Sequence, residues 1–520
     1  MIFMYKNICF LMLFLTCMFS CSAQQSALWE NFKTASATGA EPILPDFSYV
    51  GYKYSETEIP NLNYKVFDVT QFGAIPNDTI SDKNAIKKAI DAASKNGEGI
   101  VYFPKGKYYI NTSEDDVSII YIESSNIVVR GEDRNGTILF FQNDLPPLDP
   151  NKLWTCPSAI STKAKKKNVV LAKVVADARR ESFKVQVDNA SKIKMDDWVT
   201  LEMLNNAPEL IKYDIGPLVP DKEWTSILKE GVQVNERHKV KSINGNILEF
   251  YEPFHYDVKA QYDWKITSFE HLNHVGFESL TFEGNWHEKF EHHKSAKHDG
   301  GWSILSMENL VDSWIKDCTF KNINRAASFD GSAASTAINV SVEGNIGHTA
   351  LHAQGSTGIL MANVHDIAGM HHSLGVAGGS NTNTVIWRCK YASHTSFEAH
   401  ASQPRCTLFD NVEGGFFQGR GGGARFNLPN HGRYLVLWNF KEIDEAEQDF
   451  RFVATDTWYW RIVPPIIVGF HGSGTTFNEN EVQIIERPGK PVEPESLFEE
   501  QLKLRLGKLP QWIVDIKSQE

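Results

Sequence analysis

Cysteine is scarce in this sequence, and where it occurs it is unpaired. Of the seven in 520 residues, Cys9 and Cys17 lie in the first apolar segment. Cys156, Cys318, Cys389 and Cys406 show no CxxC spacing, which argues against a metal knuckle or a redox motif; they read as isolated buried thiols. No apolar run past the N-terminus is long enough to span a bilayer. Basic residues do not dominate: 52 Lys and Arg face 64 Asp and Glu, a net charge of −12, which disfavours non-specific nucleic-acid binding. Gly419-Arg420-Gly421-Gly422-Gly423 lacks the Gly-Lys-Ser/Thr ending of a phosphate-binding loop and reads as a turn. Histidine is absent before residue 238, yet seven of the 17 lie between 348 and 400.

What is present begins with an export signal. Lys6 supplies a positive charge ahead of the apolar run Ile8 to Phe19. Met18-Phe19-Ser20-Cys21 has the form of a lipobox with Cys21 as the lipidated residue, while Cys21-Ser22-Ala23 would also suit an ordinary signal peptidase. Residues 1–20 are therefore read as signal peptide and 21–64 as a tether. The protein is expected to be exported, as an outer-membrane lipoprotein or in the periplasm or medium. Any membrane contact is expected only through that lipid, and the protein is expected to be a monomer.

With Ser81 or Asp82 as cap, a helix is predicted, with Ala85, Ile86, Ala89, Ile90 and Ala93 at helical spacing and Gly97 and Gly99 stopping it. Short strands follow in Val101-Tyr102-Phe103-Pro104-Lys105-Gly106-Lys107-Tyr108-Tyr109-Ile110 and Ser125-Asn126-Ile127-Val128-Val129-Arg130-Gly131. From about residue 300 the chain repeats itself. Phe329, Leu351, Leu374 and Phe397 recur at spacings of 22, 23 and 23, each in a short alternating strand. Such a period is what a parallel solenoid needs, with the apolar set inside and the polar set outside.

The sequence from Phe72-Gly73-Ala74 through the capped helix to Phe103-Pro104-Lys105-Gly106 and Val128-Val129-Arg130-Gly131 resembles the opening of pectate-lyase-superfamily proteins. The resemblance implies an all-β, right-handed parallel β-helix with an N-terminal capping helix. It also implies a polysaccharide partner, shared among lyases, glycosidases, epimerases and viral tailspikes. Residues 65–167 become the cap and first coils, 263–480 the main β-helix and 481–520 a C-terminal cap against the open end. Between them, 168–262 reads as an inserted antiparallel β-domain, with a hairpin at Asn244-Gly245. Calcium assists several lyases of the superfamily, but no acidic trio here marks a site for it.

Stacking the coils on the apolar repeat puts Asp330, His352, Gly375 and Glu398 in one outward column and Ser332, Gln354, Ala377 and His400 in another. Gly375 and Ala377 leave a hollow between polar neighbours. A third column, His348, His371 and His394, reads either as a structural stack or as a reach for a shared ion. His287, His292, His293 and His298 could form a metal cluster, but the intervening Glu and Lys residues read as a solvated loop. Elimination at a uronate needs a base and a neutralised carboxylate. The expected base is His352 or His400 and the expected cation Arg405 or Arg420, with Asp330, Gln354, His371, Arg388, Glu398 and Arg425 binding substrate. The expected function is therefore a lyase on an anionic, uronate-containing or sulfated polysaccharide. The alternatives are a glycoside hydrolase using Asp330, Asp366 and Glu398, or a non-catalytic glycan-binding protein.

Overall fold

Three parallel ladders run side by side through most of the chain. The structure is a computed structural model that describes residues 24–165, 168–417, 421–454 and 456–518. Sheets of twelve, nine and seven strands wrap one right-handed parallel β-helix. Each coil contributes a short strand to each sheet, as in Trp314–Lys316, Thr319–Lys321 and Arg325–Asp330. Inward side chains stack from coil to coil: the Phe282 and Phe320 rings lie 5.0 Å apart, and Phe397 stacks on Phe416 at 5.2 Å. Phe329, Leu351, Leu374 and Phe397 are all buried in this one core.

One turn is held by a polar ladder. Asp317, Asn339, Asn363, Arg388, Asn411 and Asn439 take φ between 48° and 54°, a left-handed conformation that asparagine tolerates. Asn363 donates to Asn339 and Asn339 to Asp317, at 2.9 and 3.0 Å. Arg388 stands at an asparagine position of this ladder.

The helix Lys83–Asn96 closes the first coils with Ala85, Ile86, Ala89, Ile90 and Ala93 buried, and it stops at Gly97 in the left-handed region. Six antiparallel strands between Val170 and Ser268 form the inserted sheet. Its long strand Val232–Asn244 leans on the turns that follow the seven-stranded sheet: Arg237 donates to the Gly355 carbonyl, Asn235 to Ser380, and the Gln233 amide to Gln403.

Two end segments depart from expectation. The stretch after Cys21 does not hang as a tether from residue 26 onward: the helix Ala27–Thr38 and the segment after it bury Leu28, Trp29, Phe32 and Phe47. Likewise the C-terminal helices Leu497–Leu506 and Gln511–Lys517 do not sit on the open end. Both segments lie along the outer face of the twelve-stranded sheet, against Trp314, Trp387, Leu408 and Trp438. The outward positions of that sheet are apolar, and water-exposed tryptophans and leucines require a cover. Cys21 and the apolar leader lie outside the described residues.

Candidate active site

The outer face of the seven-stranded sheet brings histidines and carboxyl groups together on adjacent strands. Its strands, in chain order and in spatial order, are β1 (Ile120–Ile122), β2 (Ile160–Thr162), β3 (Ser303–Glu308), β4 (Arg325–Asp330), β5 (Thr349–Gln354), β6 (Gly375–Ala377) and β7 (Glu398–His400). In register, Tyr121, Ser161, Ser306, Ser328, His352, Gly375 and Glu398 form one outward row. At about 4.8 Å per rung it spans about 29 Å. Glu308, Asp330, Gln354, Ala377 and His400 form the next row.

Asp330 therefore belongs beside Gln354, not beside His352, whose neighbour is Ser328. The coil from Ser328 to His352 is 24 residues long rather than 22. A slip of two keeps every side chain on its own face, so the alternation of apolar and polar residues cannot reveal it.

The chemistry concentrates on β7. Glu398 is buried and receives His372 Nδ1 at 2.5 Å on one oxygen and His400 Nδ1 at 2.8 Å on the other. Burial alone would raise its carboxyl, but the two imidazoles hold it down at about 2. An ionised carboxylate only accepts, so both Nδ1 atoms donate, and in the neutral imidazoles it is Nε2 that carries the lone pair. The His400 side chain is 36% exposed and stands next to Ala377 on its row. Glycine is required at 375 by the close approach of β7: a Cβ there would lie 2.1 Å from the Glu398 carbonyl oxygen. Gly422 closes the other side of His400, where a Cβ would fall 1.9 Å from Nδ1. His352 is half-buried on the adjacent row; burial first, then Arg325 and His400, push its imidazole down to about 3.

Further imidazoles crowd the start of these strands. His348 is buried and gives Nδ1 to the Asp299 carbonyl at 2.8 Å. The rings of His292 and His371 stack at 4.1 Å, and those of His292 and His372 lie 5.3 Å apart. In the 287–298 loop His287, His292 and His293 are exposed, as a solvated loop requires, while His298 is buried. Phe290 packs on His348 and His371, and Asp299 holds His293 through both its amide and its ring at 3.0 and 2.7 Å. His394, by contrast, is exposed and lies against Gly369.

Most of the cations expected at the site lie elsewhere. Arg405 is fully buried on the twelve-stranded sheet, under the insertion, with Asp214 and the Gln233 carbonyl. Arg388 binds Glu499 and Glu495 and so anchors the C-terminal helix. Arg425 pairs with Asp221 of the insertion. Arg420 lies outside the described residues. Arg325, which opens β4 in register with Thr349, is the arginine on this face that sequence reading passed over. Alternation did not reveal it, because a place three residues before the outward Ser328 reads as inward; its guanidinium donates to the Trp154 carbonyl. Asp366 is internal: it accepts from the Gly369 and Met370 amides at 2.9 Å and from Ser373 at 2.8 Å. It thereby fixes the turn that carries His371 and His372, and burial raises it to about 6. Asp330 accepts from Ser306 and Ser328 at 2.7 and 2.6 Å, with burial raising its pKa.

Three strands from β5, the same face opens into a cleft of about 650 Å³ lined by Tyr121, Lys163, Lys165, Ser306 and Glu308. Lys163 lies 4.9 Å over the Tyr121 ring. Calcium binding takes six to eight oxygens. Among the described residues, each group of three or more His, Cys, Asp or Glu side chains close enough to share an ion is built on histidine. Both Glu398 oxygens are already engaged. This donor set does not fit calcium.

Residues 66–196 match the family model described as rhamnogalacturonase A/epimerase, pectate lyase-like, and residues 369–516 match that of a domain of unknown function, DUF4955. Over 73 residues the chain is 34% identical to alginate lyase 7 of Azotobacter vinelandii, a stretch covering 14% of this chain and 8% of that protein. The tailspike protein of Pseudomonas phage LKA1 is similar at 12% identity over 82% of this chain and 74% of its own, with a TM-score of 0.48. The A-module of the mannuronan C-5 epimerase of Azotobacter vinelandii is similar at 12% identity over 82% and 96%, with a TM-score of 0.37.

Proposed function

We propose that this pectate-lyase-like right-handed parallel β-helix is a polysaccharide-active enzyme that cleaves an anionic, uronate-containing chain by β-elimination. The observation that carries the reading is His400, half-exposed on the outer face beside Ala377 and held through Nδ1 by the buried Glu398. An imidazole fixed in this tautomer offers its Nε2 lone pair to a substrate proton. His400 takes the proton beside the sugar carboxylate. The released electron pair forms the ring double bond, the bond to the departing oxygen breaks, and that oxygen is protonated by the imidazolium or by solvent. The outward row is long enough for several sugar units. Lys163, Lys165 and Arg325 on the same face suit acidic groups along the chain. The partial identity to a protein named alginate lyase agrees with such a substrate.

A hydrolytic reading has one observation in its favour. Glu308 and Asp330 face outward on adjacent rungs, in register, and Asp330 has a raised carboxyl. A retaining glycosidase places its two carboxyl groups about 5–5.5 Å apart. Asp366 and Glu398, by contrast, are committed to the turn and to the histidines.

The deciding experiment incubates the protein with a panel of acidic and neutral polysaccharides, following ultraviolet absorbance and reducing ends together. Unsaturated ends are expected. Reducing ends alone, abolished by Glu308→Gln and Asp330→Asn, would replace elimination with hydrolysis.

A further inference from the structure

Elimination uses Glu398 and His400 but not the imidazoles packed beside them. His372 spends Nδ1 on Glu398, and its buried Nε2 has no hydrogen-bond partner. His348 spends Nδ1 on the Asp299 carbonyl, and its buried Nε2 is likewise without one. A buried polar atom left without a partner is destabilising, so two in one place ask for a ligand. The ligand atoms of His292, His371 and His372 all lie within 4.8 Å of one another. The His348 ring is 5.1 Å from that of His372 and 5.3 Å from that of His292.

We infer that His292, His371 and His372, with His348 at their side, form a binding site for a divalent transition-metal ion of the zinc class. Imidazole is the donor such ions prefer over calcium or magnesium, and three imidazoles with an open position make a catalytic type of zinc set. The outer shell is in place as well. Metal-bound histidines give their second nitrogen to a carboxylate or carbonyl, which fixes the tautomer and directs the lone pair at the metal. Glu398 does this for His372 and the Asp299 carbonyl for His348. Asp366 clamps the turn of His371 and His372 from inside, and Asp299 pins His293 next to His292. Zinc–nitrogen bonds of about 2.0–2.1 Å put tetrahedral ligand nitrogens about 3.4 Å apart. His292, exposed on its loop, is the member placed to close that gap.

The His372 and His400 rings are 5.3 Å apart. On the elimination reading, an ion here would face the acidic group of the sugar whose proton His400 removes. That consequence rests on the proposed function; the metal site itself does not.

The test uses the full chain without a histidine tag, stripped by chelator and titrated calorimetrically with zinc chloride and, separately, calcium chloride. One zinc per chain is expected, with calcium unable to compete. His292→Ala and His371→Ala should each weaken zinc by at least about 10–100-fold, the loss typical even for second-shell partners, while the distant His471→Ala leaves it unchanged. Cobalt(II) should give a visible absorption that His371→Ala removes. His292 is exposed, so its variant tests the site in a folded chain, verified by circular dichroism. No zinc binding, or wild-type affinity in both variants, would overturn the site. Unchanged zinc affinity in His400→Ala, with product formation lost, would show that metal site and base are separate.

Discussion

His400 is set up by small residues as much as by its carboxylate partner. Gly422→Ala would drive a Cβ into the imidazole, at 1.9 Å from Nδ1. The expected outcome is loss of kcat with little change in melting temperature, since the site is on the outer face; kinetics alongside a thermal melt check it. Glu398→Gln should leave His372 or His400 with a donor facing its Nδ1, forcing one ring to turn. A fall in kcat of about a hundredfold, within the range of general-base effects, is expected, with KM nearly constant because ground-state binding is untouched. An unchanged kcat in either variant would remove His400 from the reaction. At this scale the sequence was partly legible. His352, Gly375, Glu398 and His400 could be placed outward from alternation alone. The cations could not, because neighbours in sequence within one coil lie on different sheets: five residues after His400, Arg405 already faces the insertion. His372 was missed, and His292 was read only with its loop neighbours, for a related reason: their meeting depends on a loop folding back across 80 residues of chain.

Among the elements, the inserted sheet has its own electrostatic lock. His238 is fully buried between Glu252, at 3.1 Å, and Glu236, at 3.4 Å, with His255 and Glu181 close by. Burial disfavours its imidazolium, but the two glutamates outweigh that and raise it to about 9. The unfolded value is about 6.5. A folded-state pKa above the unfolded one means a contribution that is whole below about pH 6.5 and is lost as pH rises through about 9. The melting temperature should therefore fall across that interval, and His238→Gln should flatten the profile. A wild-type melting temperature that stays level from pH 6.5 to 9 would contradict the lock. The hairpin and alternating strands of the insertion were readable. Its position was not, because the hydrogen bonds to Gly355, Ser380 and Gln403 that seat it beside the candidate site join segments more than a hundred residues apart.

The whole molecule depends on its two ends meeting on one face. Leu497, Phe498, Leu502, Ile513 and Ile516 are all buried against the twelve-stranded sheet and the N-terminal segment. At about 1.5–3 kcal/mol each, their burial amounts to roughly 10 kcal/mol, comparable with the whole stability of an ordinary domain. Truncation before Ser496 should give an insoluble or aggregated product, and a soluble one with a wild-type melt would contradict this role. The ends escaped sequence reading because apolar outward residues such as Trp387 and Trp438 look the same whether they face a core or a covering segment. The solenoid itself was legible, since a 22–23-residue recurrence has few other structural solutions. The proposed lipid on Cys21 predicts that the wild type partitions with membranes and that Cys21→Ser does not; a mature N-terminus at Gln24 would show ordinary cleavage instead.

The central claim is that His400 removes a sugar-ring proton on the outer face of the seven-stranded sheet. It is tested most directly by the rate at which His400→Ala forms unsaturated ends on the acidic polysaccharide that the wild type cleaves. The account predicts a correctly folded variant slowed by about 10²–10⁴-fold, the usual contribution of a general base. A variant that keeps more than about a tenth of the wild-type rate would contradict it, because no base of that contribution could be lost so cheaply.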